Sequence, residues 1–158
     1  MAAAESEAVG EAPEPLQPRA RPGLLVGVDG SRESFDALAV AVDMAPKLNL
    51  PLHALVVWDL ATTLYDDYFT PDAVSQPRDD ASRVVRVIRK TFFPTGEPPW
   101  FTVGTERGRP AAVLLRHSAE CEILVVGRRG HGGFTGLLLG SVSGACVSHS
   151  KCPVLVVP

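Results

Sequence analysis

At 158 residues, with 46% hydrophobic and 21% charged side chains, the chain is long enough to bury a core as one domain and too apolar to be disordered throughout. A formal net charge of −3 with no basic stripe beyond Arg83, Arg86, Arg89 and Lys90 argues against nucleic acid as the main partner, since that binding relies on clustered Lys and Arg. Those four basic residues are expected on a solvated helix face.

No apolar run approaches the roughly 18 residues that span a bilayer, so no membrane contact is expected. The acidic, Pro-rich start lacks the basic-then-apolar order of a secretory signal, and a cytoplasmic location follows by elimination. Three cysteines, Cys121, Cys146 and Cys152, are too few and too odd in number for a disulfide framework. Each adjoins apolar residues, so they are expected as small core side chains in a reducing compartment, and no Cys/His spacing matches a zinc site.

Residues 1–22 mix Ala, Glu and Pro with little that is large and apolar, and burial there cannot offset the entropy of ordering; a disordered tail is expected, followed by one domain over 23–158. Leu24 to Val28 is a short continuous apolar run, the pattern of a parallel strand buried on both faces. It ends in Asp29-Gly30-Ser31, and Phe35, Leu38, Val42 and Ala45 then recur at helical spacing. Ser31 can cap this helix, and Glu33 sits where the dipole favours an acid. Pro46 is expected to distort or end it, with Asn49 able to take a left-handed cap.

A second buried strand is expected within Leu52 to Asp59, then a loop over residues 60–78 lying across the ligand side. Asp66 and Asp67 in that loop are read as solvated acids. From Asp80, the positions Val84, Val85, Ile88 and Phe92 mark an amphipathic helix. Trp100 to Thr105 is expected as a third strand, at an edge because Pro98 and Pro99 precede it. Gly108-Arg109-Pro110 opens a third helix with Pro near its first position. Ile123 to Val126 is the fourth strand, Ser141 to Ser148 the fourth helix, and Val154 to Val157 the fifth strand. This alternation predicts right-handed crossovers and an open five-stranded parallel sheet with helices on both faces, an α/β Rossmann-like fold.

Between the fourth strand and fourth helix lies Gly127-Arg-Arg-Gly130-His-Gly-Gly-Phe-Thr-Gly-Leu-Leu-Leu-Gly140-Ser141. Glycines at 127, 130 and 140 can adopt positive φ and admit a ligand close to the backbone. Ser141 would open a helix whose unpaired amides and dipole favour an anion such as phosphate. The alternative is a plain surface turn with Ser141 as an ordinary N-cap, and the spacing Gly-x2-Gly-x9-Gly-Ser after a buried strand favours the anion site. Leu137, Leu138 and Leu139 are expected to pack over the adjoining core, with a dimer surface as the alternative.

This spacing, with Val26-Gly27-Val28-Asp29-Gly30-Ser31 near the start and Cys152-Pro153-Val154-Leu155-Val156-Val157 at the end, resembles the ATP-binding branch of the universal stress protein family over roughly residues 23–158. The resemblance implies the strand order 3-2-1-4-5 of an adenine nucleotide alpha hydrolase-like fold. It also implies ATP as ligand, alone or with Mg2+, and a homodimer paired through strand 153–157. Position by position it assigns Gly27 and Asp29 to the first-strand contacts and the backbone of Val57 to adenine. Val126, Gly127, Arg129 and Gly130 fall to ribose and phosphate, and Gly140, Ser141 and Val142 to the phosphate-binding helix start.

No Gly-x4-Gly-Lys-Ser/Thr loop and no nucleophile elbow occurs, and neither catalytic nor metal-ligating residues are singled out. The expected function is therefore a nucleotide-dependent switch or sensor in stress response with weak or no ATPase activity. The alternatives are a slow nucleotide hydrolase or transferase using the same pocket, and a non-nucleotide dimeric interaction protein.

Overall fold

Leu24, Leu25 and Val26 have no exposed surface, because the strand they form, β1 (Leu24–Gly27), lies at the centre of a sheet covered on both faces. The computed structural model describes residues 23–59, 76–131 and 136–158. The expected tail at 1–22, Asp66 and Asp67 with the rest of 60–75, and residues 132–135 lie outside the described residues.

Chain order is β1, α1 (Arg32–Leu48), β2 (Leu52–Trp58), α2 (Gln76–Phe92), β3 (Phe101–Arg107), α3 (Pro110–Ser118), β4 (Ile123–Gly127), α4 (Ser141–His149) and β5 (Val154–Val157). The five strands form one sheet in the order β3-β2-β1-β4-β5, as expected. Each neighbouring pair is parallel, with Leu24 opposite Leu52 and Ile123, Leu52 opposite Phe101, and Leu124 opposite Val154.

Alternate residues of the central strands feed two cores, as a pleated strand requires. Leu24, Val26, Ala54, Val56 and Val125 meet Ala37, Leu38 and Ala41 of α1 and Val85 and Ile88 of α2. Leu25, Leu55, Leu124 and Val126 point the other way, against Val113 and Leu114 of α3 and Cys146 of α4. Two helices per face is the arrangement that strand–helix alternation with right-handed crossovers produces.

Ser31 caps α1 by accepting the Ser34 amide at 3.2 Å. The helix runs through Pro46 to Leu48, not ending at the proline, and Asn49 closes it in the left-handed region at φ 52°. Proline in the last turn forfeits one intrahelical bond, while the buried Ala37, Leu38, Ala41 and Ala45 hold the helix to the sheet. The α2 helix starts at Gln76, so Pro77 stands in its first turn, where a missing N–H is no loss, and does not belong to the loop expected there. Strand β3 is an edge, but runs from Phe101 to Arg107, past the expected end at Thr105. Extension follows from its partner, since Val57 and Trp58 of β2 pair with Glu106 and Arg107. Arg83, Arg86, Arg89 and Lys90 are all exposed, as expected of a solvated face. No helix among the described residues is long and apolar enough to cross a membrane.

Candidate functional site at the carboxyl ends of β1, β2 and β4

From β1 the chain winds through β2 to β3 on one side, and from β4 to β5 on the other. The reversal leaves a crevice where β1 and β4 end, the position at which open α/β sheets take ligands. A cleft of about 1040 Å³ occupies it, at the upper end of ligand-pocket sizes. Gly27, Asp29, Val57, Val126, Gly127, Arg129, Gly130, Gly140, Ser141 and Val142 all line this cleft, although they come from segments about a hundred residues apart.

Asp29 joins those segments. Its Oδ1 accepts the Ser31 amide at 2.9 Å and the Ser31 hydroxyl at 2.5 Å. Its Oδ2 accepts the His131 amide at 3.1 Å, across 102 residues of sequence. Burial alone would push the Asp29 carboxyl up; hydrogen bonds from the Ser31 hydroxyl and amide, the His131 amide and Ser34 outweigh it and hold the group below the usual carboxylate range. Asp29 is thus an anion whose oxygens are engaged in tying the glycine loop to β1.

That tie explains Gly130, where any Cβ would be driven into Asp29 Oδ2. At Gly127 a Cβ would come within 2.7 Å of the Glu33 carbonyl oxygen in the first turn of α1, and at Gly27 within 2.8 Å of Leu114 Cδ1. Close packing inside the chain, not positive φ, is what these positions demand: among the described residues the glycines with positive φ are Gly30, Gly96, Gly108 and Gly136, and 127, 130 and 140 are not among them. Gly140 is different again, since a Cβ there meets nothing nearer than 3.4 Å.

Gly140, not Ser141, is the N-cap of α4, and no side chain caps the helix. Ser141 is the first helical residue, and the first-turn amides lack intrahelical partners. The turn is anchored from behind: the Gly140 amide donates to the Arg128 carbonyl at 2.9 Å and Ser143 Oγ donates to the same oxygen at 2.7 Å. Arg129 is half-buried and lines the cleft, and its buried Nε has no hydrogen-bond partner among the described residues. Arg128 is exposed and does not line it. A buried guanidinium nitrogen without an acceptor is costly, and an anionic ligand would supply one.

Apolar side chains also line the cleft, among them Val56 and Val57 of β2, Ala81 and Val84 of α2 and Leu139 before α4. Trp58, Asp59, Pro77 and Asp80 also line the cleft and are not singled out by sequence reasoning. Extending the helical pattern of α2 back to Pro77, a favoured first-turn residue, would have brought two of them forward. His131 lines the cleft and is exposed. Leu137 and Leu138 depart from their expected packing: they are 57% and 87% exposed, and Leu137 lines the cleft together with Leu139. Among the described residues no group of three or more His, Cys, Asp or Glu is placed to hold a metal ion.

The sheet order and the cleft at its switch point define a doubly wound α/β domain in which the start of α4 has no side-chain cap. The sequence model of the Universal stress protein family matches residues 23–158. Universal stress protein Rv2623 of Mycobacterium tuberculosis (strain ATCC 25618 / H37Rv) is 32% identical over 134 residues, covering 84% of this chain and 44% of that protein. The chain therefore spans less than half the length of this curated relative. Among solved structures, universal stress protein UspA from Lactobacillus plantarum superposes with a TM-score of 0.71 at 25% identity, over 89% of this chain and 100% of that one. A universal stress protein solved in complex with cAMP gives a TM-score of 0.65, also at 25% identity, over 89% and 99%. The chain belongs to the universal stress protein family.

Proposed function

We propose that the cleft binds an adenine nucleotide, ATP foremost, and that the protein is a nucleotide-dependent switch or sensor in stress response, working in the cytoplasm with weak or no ATPase activity. In this reading the base lies against apolar side chains of the cleft near Gly27, Asp29 and the backbone of Val57. Val126, Gly127, Arg129 and Gly130 flank ribose and phosphates, and the phosphates meet Gly140, Ser141 and Val142 at the start of α4.

The observation that carries the reading is the buried, unpartnered Nε of Arg129 in the same cleft as the uncapped start of α4. Both offer donors to an anion, and neither has one among the described residues. The related protein solved with cAMP supports the adenine class.

Magnitudes require these groups to act together. A helix dipole contributes about 0.3–2 kcal/mol to a bound anion, and a charged hydrogen bond about 1.5–3 kcal/mol. Burying an adenine face of about 150 Å², comparable to an aromatic side chain, adds about 4 kcal/mol at ~25 cal/mol per Å². Micromolar affinity needs about 8 kcal/mol. Mg2+, where it accompanies ATP, is carried on the phosphates.

The test is to denature the protein as purified, identify released nucleotide by chromatography and mass spectrometry, and titrate ATP into Arg129→Gln. Released adenine nucleotide and a loss of about 10- to 100-fold in affinity are expected, the worth of one charged hydrogen bond. No released nucleotide together with no binding on titration would overturn the reading.

Strand β5 is an edge, which in isolation is prone to pair with another chain. We propose a homodimer through residues 153–157 on that ground. Concentration-independent sedimentation as a monomer would refute it.

A further inference from the structure

Two of the cysteines, separated by 31 residues in sequence, stand side by side at the sheet end opposite the cleft: Cys121 Sγ lies 3.4 Å from Cys152 Sγ. They precede β4 and β5, neighbouring parallel strands with Leu124 opposite Val154. Strand spacing of about 4.8 Å falls within the Cα separations of about 4.4–6.8 Å that disulfides accept. One residue holds both cysteines in position. Ser118 accepts from Cys121 Sγ through its carbonyl at 3.8 Å, and its hydroxyl accepts the amide of Lys151, next to Cys152, at 3.0 Å. On the other side Ser150 Oγ accepts the Cys152 amide at 3.2 Å.

We propose that Cys121 and Cys152 form a reversible oxidation site, at which hydrogen peroxide converts the pair to an intramolecular disulfide. Cys152 is half-buried and Cys121 buried, so the more accessible Cys152 reacts first. Its thiolate attacks one peroxide oxygen and the O–O bond breaks. Cys152 becomes a sulfenic acid, and the departing hydroxide takes the thiol proton and leaves as water. Cys121 sulfur then attacks Cys152 sulfur, the S–OH bond breaks, and the hydroxide leaves as a second water with the Cys121 proton. Two thiols lose two electrons and two protons, and one peroxide becomes two waters. A dithiol reductant reverses the step.

The third thiol stays out of this exchange. Burial foremost, and then the charge of Cys152, push the Cys146 thiol up to about 11, which keeps it protonated. Oxidation would tie the two ends of a segment that contains Arg129, Gly130, Ser141 and all of α4. The proposal rests on the cysteine geometry and not on what the cleft binds.

The experiment treats the whole protein with hydrogen peroxide, counts thiols in denaturant and maps cross-linked peptides by mass spectrometry. The three cysteine thiols should fall to one, with a loss of about 2 Da per chain, a Cys121–Cys152 peptide and full recovery with dithiothreitol. Cys146→Ala should behave alike. Cys121→Ser should stop at a sulfenic acid on Cys152, about 16 Da heavier. Persistence of all three thiols in the wild-type protein, a cross-link to Cys146, or one between two chains would overturn the proposal, and none of these outcomes depends on the buried-site variant folding.

Discussion

Replacing Gly130 by Ala tests how the glycine loop is held. The added Cβ would overlap Asp29 Oδ2, the atom that accepts the His131 amide at 3.1 Å. Either the carboxylate turns away and that bond is lost, or the loop lifts from β1. A hydrogen bond to a charged group is worth about 1.5–3 kcal/mol, so a loss of ~2 kcal/mol in stability is expected. If the displaced loop carries Arg129 with it, the same energy lowers nucleotide affinity about 30-fold. Urea denaturation reads the first effect and calorimetric titration the second. The decisive comparison is a double-mutant cycle on stability with Asp29→Ala. Without the carboxylate there is nothing to collide with, so Gly130→Ala should then cost well under ~1 kcal/mol, a coupling of the size found between contacting residues. Equal costs in the two backgrounds would refute the argument. Gly140→Ala is the control: with nothing nearer than 3.4 Å to the new Cβ, stability should hold, and any loss of affinity reports the ligand's own approach to α4.

The remaining predictions concern acid stability and the end of α1. Asp29 is held below its ordinary value of about 3.9, so as pH falls the unfolded chain takes up its proton first. The stability it contributes is complete above that value and is lost as pH drops through the depressed folded one. Asp29→Asn should therefore flatten the acid limb of a stability–pH profile and leave a lower plateau at neutral pH, and an unchanged acid limb in chemical denaturation would contradict this. Asn49 closes α1 at φ 52°, where a Cβ without a polar side chain costs about 1–2 kcal/mol. Asn49→Ala should lower the urea midpoint and Asn49→Gly should not; a reversed order would show that the cap conformation is not what matters there.

Much of the fold is legible in the sequence because its strands are buried on both faces. Leu24-Leu25-Val26 and Ile123-Leu124-Val125-Val126 read as unbroken apolar runs, and the helices between them carry their own start and stop signals in Ser31, Asn49 and Pro110. Family resemblance supplied the strand order, which no local pattern encodes. The misreadings fall where a neighbour decides. The end of β3 was set by its pairing with β2, and Leu137 and Leu138 stand exposed and not packed over the core. Pro77 lies within the loop expected over 60–78, whereas the first turn of α2 accommodates it.

Local physics of the chain therefore determined the order and kind of its elements, since periodicity, capping and proline geometry act over a few residues. It also marked the segments that meet at the cleft, because a glycine-rich turn between strand and helix is visible wherever it occurs. Why three of those positions must be glycine was decided in tertiary structure: Leu114, the Glu33 carbonyl and the Asp29 carboxylate occupy the space a Cβ would need at Gly27, Gly127 and Gly130. The unpartnered Nε of Arg129 and the meeting of Cys121 with Cys152 are of the same kind. Both depend on parallel strands distant in sequence being brought side by side, and sequence spacing carries no record of that contact.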